Sequence, residues 1–472
     1  MIRLVFVHEW IRLLRSPRML ALLGVAALAL AATTWWSAST DAEQTALQAA
    51  AAGEARSAWL GRGAANPHGM AHFGDFVFRP NGPLARLDGG VQAEMGRVLR
   101  IEGHRRGMPL STQTSKAGPL ARFGRFDPAF LLQSVAPLIL ILVGAGLSVD
   151  DRDGRQRWML AHGTSGRALV AGRAAFLASI AIALIAIVAV ATLIAAPEPL
   201  TAADAPRFIA MMGAYAVFLL TVAALIIVVS ALSPSATTAI FILIGAWIAG
   251  TTIAPRATAT AAAALAPLPT RDAFETSMRE ARSAEVDAHN PEDERLAAME
   301  AQLMKEYGVA TREALPVNFD GIAMQVDEEV GNVVWDAHFG GLERRLQRQG
   351  QIAGVASLFN PFQAVRAVSM TLAGTDLAHD LAFQDAAEDY RRTLVKALND
   401  EHAYGGSVTG DWSFKADAAF FAGLAPFDYP VAPLPHALRT RTIEIVGLLA
   451  WAGLAVAAML AAGRRLEKGP QA

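Results

Sequence analysis

The amino-acid sequence predicts an all-α polytopic membrane protein with six transmembrane helices, an N-terminal interfacial helix and two extracytoplasmic segments, the larger one helical. Three observations lead there. Of the 472 residues, 53% are hydrophobic and 18% charged, against about a quarter charged in an ordinary soluble domain. The apolar residues gather in six windows of about 20, the length a helix needs to cross roughly 30 Å of hydrocarbon. Lys and Arg gather in the flanks that a six-span topology puts on one side. The chain has 0 Cys, which excludes disulfides, thiolate metal sites and cysteine nucleophiles. A formal net charge of −2 gives no reason to expect a nucleic-acid partner.

Residues 1–18 read as a cytoplasmic interfacial helix. Leu4, Val7, Ile11 and Leu14 share one face, and Arg3, Arg12, Arg15 and Arg18 bring positive charge. The first span is 19–36, closed by Trp35 and Trp36 at an interface; its long lead-in favours an uncleaved anchor over a signal peptide. Residues 37–128 form the first extracytoplasmic domain, Gly/Pro-rich around Gly61–Pro83, weakly patterned and open as to fold. The second span, 129–149, contains Pro137, which membrane helices tolerate when neighbours satisfy the freed carbonyl. A cytoplasmic loop occupies 150–173. The third, fourth and fifth spans are 174–196, 208–232 and 236–254, the last two separated by the Ser233–Pro234–Ser235 turn. Residues 255–441 form the second extracytoplasmic domain, with helical spacing in Leu296, Met299, Leu303 and Tyr307 and again in Phe383, Ala387, Tyr390, Leu394 and Leu398. The sixth span is 442–463, and 464–472 is a cytoplasmic tail. Arg152, Arg155, Arg157, Arg167 and Arg173 between spans two and three match the positive flanks at both termini, so both termini are expected in the cytoplasm. No span carries charge near its centre (Glu444 lies at one end), which argues against a proton-coupled transporter.

Catalytic motifs are missing. There is no Gly-x-x-x-x-Gly-Lys-Ser/Thr loop, no Gly-x-Ser-x-Gly, and His8–Glu9 lacks the second histidine of His-Glu-x-x-His. His289, His338, His379 and His402 lie near Asp293, Asp336, Asp380 and Glu401 and could be read as zinc ligands. These four contain no pair at i, i+4 spacing, so a solvated helical surface is the expectation, with no metal and no cofactor. The aromatic and basic stretches Phe73–Arg79 and Arg122–Phe126 are expected to pack at the membrane surface rather than contact a substrate.

The informative stretch is the loop after span two. Asp150, Asp151, Arg152, Asp153 and Gly154 form a mixed-charge cluster, followed by a helix-capable segment Gln156–Ala161 that includes Arg157 and Leu160. Gly163, Thr164 and Ser165 then break the chain before Leu169, Gly172 and Arg173 enter span three. A bare connection needs only a few residues, so this loop has room for a short helix that a soluble partner could push. At this loop the chain resembles the permease subunits of ABC-2-type transporters, in which a charged cluster and glycine follow span two, then a coupling helix, a small-residue break with Ser, and Gly-Lys. Arg173 stands here in place of that Lys, and Asp150–Gln156 departs from the family's Glu-Arg-Glu-x-Gly-Thr-Leu. Glu9 with Arg12, Arg15, Ser16, Pro17 and Arg18 is similar to the family's interfacial helix. Pro316–Gly321 and Met370–Asp376 look like the second outer domain of a subgroup with two large extracytoplasmic insertions.

The resemblance implies a permease subunit of an ABC exporter in a bacterial inner membrane. Its partners would be a separate cytoplasmic ATPase, which binds the ATP, a second permease copy or paralogue, and membrane lipid. The alternative from the residues is a non-transporting receptor or assembly platform; a hydrolase built on the outer His and Asp residues ranks third.

Overall fold

The computed structural model describes residues 1–109, 126–149, 154–195, 200–290 and 292–467, leaving aside the side chains of residues 93, 155 and 157. The chain opens with α1 (Ile2–Leu14), and Pro17 then starts α2 (Pro17–Leu60), a helix of 44 residues. Proline at a first helical position costs nothing, because its missing N–H would have no partner there. The helix does not pause at Trp36 but runs on for six more turns, so the first span and the start of the first outer segment are one rod. After α3 (Pro67–Phe73), the strands β1 (Asp75–Phe78) and β2 (Val98–Ile101) pair antiparallel, with Asp75 opposite Ile101. This hairpin departs from the all-α expectation in the segment whose pattern was weakest.

The second expected span needs correction. The apolar helix α4 (Pro128–Gly144) ends five residues before the expected boundary at 149. Pro137 has no N–H for the carbonyl four residues back, and a π-helical turn, Leu131–Val135, lies directly before it. Beyond Gly144 the chain turns, held by a 2.9 Å hydrogen bond from the Ser148 N–H to Ser230 Oγ. At 1.5 Å per residue the helix is about 25 Å long, so it is short for a span.

Next come α5 (Arg155–Ala161), α6 (Gly166–Ala195), α7 (Ala205–Leu232) and α8 (Ala236–Leu265), the last with a π-helical turn at Ala249–Ile253. Between α8 and the last described helix, α14 (Thr442–Glu467), lie α9 (Arg271–Ser283), α10 (Glu294–Tyr307), α11 (Phe319–Ser357), α12 (Pro361–Ala373) and α13 (Leu377–Tyr404). Among the described residues, five helices are long and apolar enough to cross a membrane: α2, α6, α7, α8 and α14. The protein is thus a predominantly helical, multi-pass membrane protein. Leu28, Phe241 and Leu454 leave most of their surface uncovered, as lipid-facing side chains do.

The bundle has two distinguishable ends. At one, a Cβ on Gly172 of α6 would lie 2.6 Å from Val5 of α1, and one on Gly166 would lie 2.1 Å from the Gly463 carbonyl of α14. Only glycine lets these backbones approach so closely. At the other end Arg207, opening α7, donates to the Leu372 carbonyl of α12 at 3.3 Å. Helix α12 buries Phe362, Val365, Val368 and Leu372 in the same core as Leu84, Leu87 and the bundle helices.

The segment that follows the first span and the one between α8 and α14 share one core and form a single body. Trp59, Met70, Val77, Leu99 and Ile101 from the first pack with Phe383, Leu394, Leu398 and Phe421 from the second. Buried side chains of this size contribute roughly 1.5–3 kcal/mol each. Arg79 and Asp380, both buried, pair across the join at 2.8 Å.

Candidate functional site

Among the described residues, chemistry-bearing side chains gather in several places, of which three bear on function. The first lies at the end of the bundle shared by α1, α5 and α6. Arg173 is fully buried near the start of α6. Its Nε donates to Glu9 Oε1 of α1 at 3.3 Å, and its Nη1 donates to Gln156 Oε1 of α5 at 2.9 Å and to Ser148 Oγ at 3.3 Å. A guanidinium presents five donors in a rigid fork, so one side chain can lock several elements at once. Glu9, also buried, accepts a further 3.3 Å hydrogen bond from Arg12.

The residues singled out from sequence divide around this junction. Glu9 and Arg173 meet, and Arg12 joins them, while Arg15 and Arg18 are exposed. Gly154 precedes α5 in exposed chain, and Gly163 ends it with a φ of 89°. Ser165 caps α6, its Oγ accepting from the Ala168 N–H at 3.1 Å. Leu160 is half-buried. Arg157 lies on α5, and nothing further is described of its side chain; Asp150, Asp151, Arg152 and Asp153 lie outside the described residues, as does most of Arg122–Phe126. Trp158, which sequence reasoning passed over, is 61% exposed on α5.

The second place is an apolar groove of about 490 Å³ between α4, α7, α8 and α14, closed at one end by Asn360 and Phe362. Both π-helical turns border it. Each has a carbonyl satisfied from a neighbouring element: Trp247 Nε1 donates to the Ser134 carbonyl at 2.9 Å, and Asn360 Nδ2 to the Gly250 carbonyl at 2.8 Å. Such turns otherwise expose backbone polarity to lipid, which is costly.

The third place is in the body that the two large segments form. His68 and His72, one turn apart on α3, meet His104 from the chain after β2 and His289 from the chain between α9 and α10. Each offers a ring nitrogen, and these four nitrogens lie within 4.8 Å of one another. His68 and His72 have their Nε2 atoms 3.0 Å apart. His104 Nδ1 stands 3.1 Å from Asp327 Oδ2 and 3.2 Å from Glu328 Oε1, and its backbone N–H donates to the same Glu328 oxygen. Both carboxylates are anchored in turn: Arg282 bonds Asp327, and the buried Arg391 donates to Glu328 Oε2 at 2.7 Å and Glu388 Oε2 at 2.8 Å. Burial alone would raise the Asp327 carboxyl, but hydrogen bonds from His104 and Arg282 bring it down to about 2. Burial, then the neighbouring imidazoles, push the His68 ring down to about 3. His72 is lowered for the same two reasons.

The four histidines singled out from sequence do not assemble. His289 joins the cluster; His402 lies beside Trp412 with ring centroids 5.3 Å apart; His379 bonds Asp376 at 2.6 Å; and His338 bonds its own helix at the Val334 carbonyl. The signal that was missed is local: His68-Gly-Met-Ala-His72 is an i, i+4 pair in the Gly/Pro-rich stretch. His104 and its carboxylates could be found only through the fold.

Residues 271–429, about a third of the chain, match a family described as a domain of unknown function (DUF3526). The matched stretch holds His289, Asp327, Glu328 and Arg391, while His68, His72 and His104 precede it. No curated protein and no solved structure matches the chain.

Proposed function

We propose that this chain is the membrane-spanning permease subunit of an ABC exporter, driven by a separate cytoplasmic ATPase and working with a second permease. The observation that carries the reading is the Arg173 junction. It makes one mechanical unit of the interfacial helix α1, the short helix α5 and the start of α6, and α5 displays a large exposed side chain, Trp158, beside it. In this reading α5 is the coupling helix. ATP-driven closure of the partner presses on α5, Gln156 and Arg173 pass the motion to α1 and α6, and the apolar groove beside α4 opens or closes to an amphipathic cargo.

The reading takes α4 as a sixth, short crossing. The positively charged flanks and the meeting of α1, α5 and the end of α14 at one end of the bundle support cytoplasmic termini in a bacterial inner membrane, with the outer body on the opposite side. The chain has no phosphate loop of its own, so ATP hydrolysis belongs to the partner. The histidine cluster gives the alternative, a receptor or assembly platform, its one specific support.

Co-purification with a co-expressed ABC ATPase from the same organism tests the reading. Trp158→Glu and a Gly154/Leu160/Gly163 triple substitution should each abolish capture while leaving the permease folded in detergent. Retained capture by both would remove α5 from the interface. Single cysteines introduced into this cysteine-free chain at residues 47 and 158 should label from opposite sides of the membrane.

A further inference from the structure

We infer that the outer body binds one divalent transition-metal ion of the zinc type, held by His68, His72, His104 and His289. The residues come from three separate stretches of chain, yet their ring nitrogens converge within 4.8 Å. Four nitrogens at about 2.0–2.1 Å from a tetrahedral ion stand roughly 3.3 Å apart. The 3.0 Å between the His68 and His72 Nε2 atoms is already near that value. The longer separations would close by small rotations of His72 and His289, whose side chains are exposed.

A histidine pair sharing one hydrogen bond would explain His68 and His72 alone. It does not explain His104, whose Nε2 is buried without any hydrogen-bond partner. A buried polar atom of this kind costs about 1–3 kcal/mol, so one left bare beside three other imidazoles points to a ligand. His104 has the form of a metal ligand on its other side too. Asp327 and Glu328 hold its Nδ1 and so direct Nε2 into the cluster, the carboxylate–histidine arrangement that orients ligands and raises their basicity. Its φ of 62° makes it the one described non-glycine residue in the left-handed region, a conformation held by the Glu328 bond to its backbone N–H.

The donor set decides the class of ion. Imidazoles without thiolates suit Zn²⁺, Cu²⁺ or Ni²⁺ and do not suit Ca²⁺ or Mg²⁺, which need oxygen. Asp327 and Glu328 supply negative charge against the ion. A cavity of about 440 Å³, lined by His68, His72, His289, Glu300, Asp320 and Trp412, gives the ion a route in. Three ligands belong to the first outer segment and His289 to the second, so the ion would clip the two together.

The test uses the full chain, purified in detergent on a tag without histidines, stripped with a chelator and titrated with Zn²⁺ and then Co²⁺. The expected result is one equivalent of tight Zn²⁺ and the visible absorption of a four-coordinate cobalt–nitrogen site. Asp327→Asn should weaken Zn²⁺ by about 10–100-fold, and His68→Gln/His72→Gln by on the order of 100-fold or more. His289→Gln, at an exposed position, should weaken it at least about tenfold and decides the matter if the double variant folds poorly. No saturable binding in the wild type, or unchanged affinity in His289→Gln together with the double variant, overturns the proposal. The measurement needs no ATPase, so it stands or falls apart from the permease reading.

Discussion

The Arg173 junction and the histidine cluster are both buried polar assemblies that tie distant segments, and they differ in how completely they are bonded. Arg173 is held by Glu9, Gln156 and Ser148, so its buried charge has partners from three elements. The cluster leaves two ring nitrogens buried and bare while its supporting carboxylates are fully engaged. The first is what a structural or force-transmitting lock looks like, because a satisfied network rigidifies. The second is what a ligand site looks like, because its polar groups are arranged for something outside the chain.

The largest expected effect breaks the lock. Arg173→Met leaves Glu9 buried beside only the half-buried Arg12 and should cost about 3–5 kcal/mol. Adding Glu9→Gln should recover much of this, since replacing both partners removes the uncompensated charge. Thermal unfolding of the single and double variants in detergent measures both numbers. A single variant as stable as wild type would mean that the junction is incidental.

The next effect sharpens the other side. Zn²⁺ at 100 times its dissociation constant should stabilise the wild type by about 2.7 kcal/mol and leave His68→Gln/His72→Gln unmoved. Without metal the two proteins should unfold within about 1 kcal/mol of each other, because the cluster is not a lock.

A smaller effect tests the close packing beside the junction. Gly172→Val would drive its side chain into Val5, 2.6 Å from where a Cβ would sit, at a cost of about 1–3 kcal/mol. Faster amide exchange confined to Ile2–Leu14 would show that α1 has lifted from α6.

The smallest concerns Asp88, outside both assemblies, which accepts from Ser369 on α12 and from the Gly90 N–H at 3.0 Å. Burial, then the neighbouring Asp127, push its carboxyl up to about 7. The folded state therefore holds a proton that the unfolded state releases above about pH 4. This stability is present below the unfolded value and is lost as pH rises through 7. Between pH 6 and 8 the wild type should lose about 1 kcal/mol that Asp88→Asn keeps, read as the difference in their melting shifts.

Much of the bundle was legible from the chain alone. Runs such as Ala174–Ala196 contain no charge, and only a helix satisfies its own backbone in lipid, so span and conformation are fixed together. The end of α4 was only partly legible: Gly144 and Gly146 weaken the helix, but Gly144 to Val149 carries no charge or proline, and the chain's turn there depends on the Ser230 contact. The outer body was half legible. Helical spacing gave α10 and α13, but Gly61–Pro83 has neither period, so the hairpin and the neighbours of His68 and His72 stayed hidden.

What the sequence determined by itself was the class: apolar runs long enough to cross a membrane, positive flanks, no cysteine and no phosphate loop. These follow from composition over short windows, where each residue's preference acts alone. What only the tertiary structure decided was which charges meet. Glu9 and Arg173 are 164 residues apart, and His104 and Asp327 are 223 apart. A lone Arg or His has no preferred partner along the chain; packing selects one by excluding water around it, and that selection separates the lock from the ligand site.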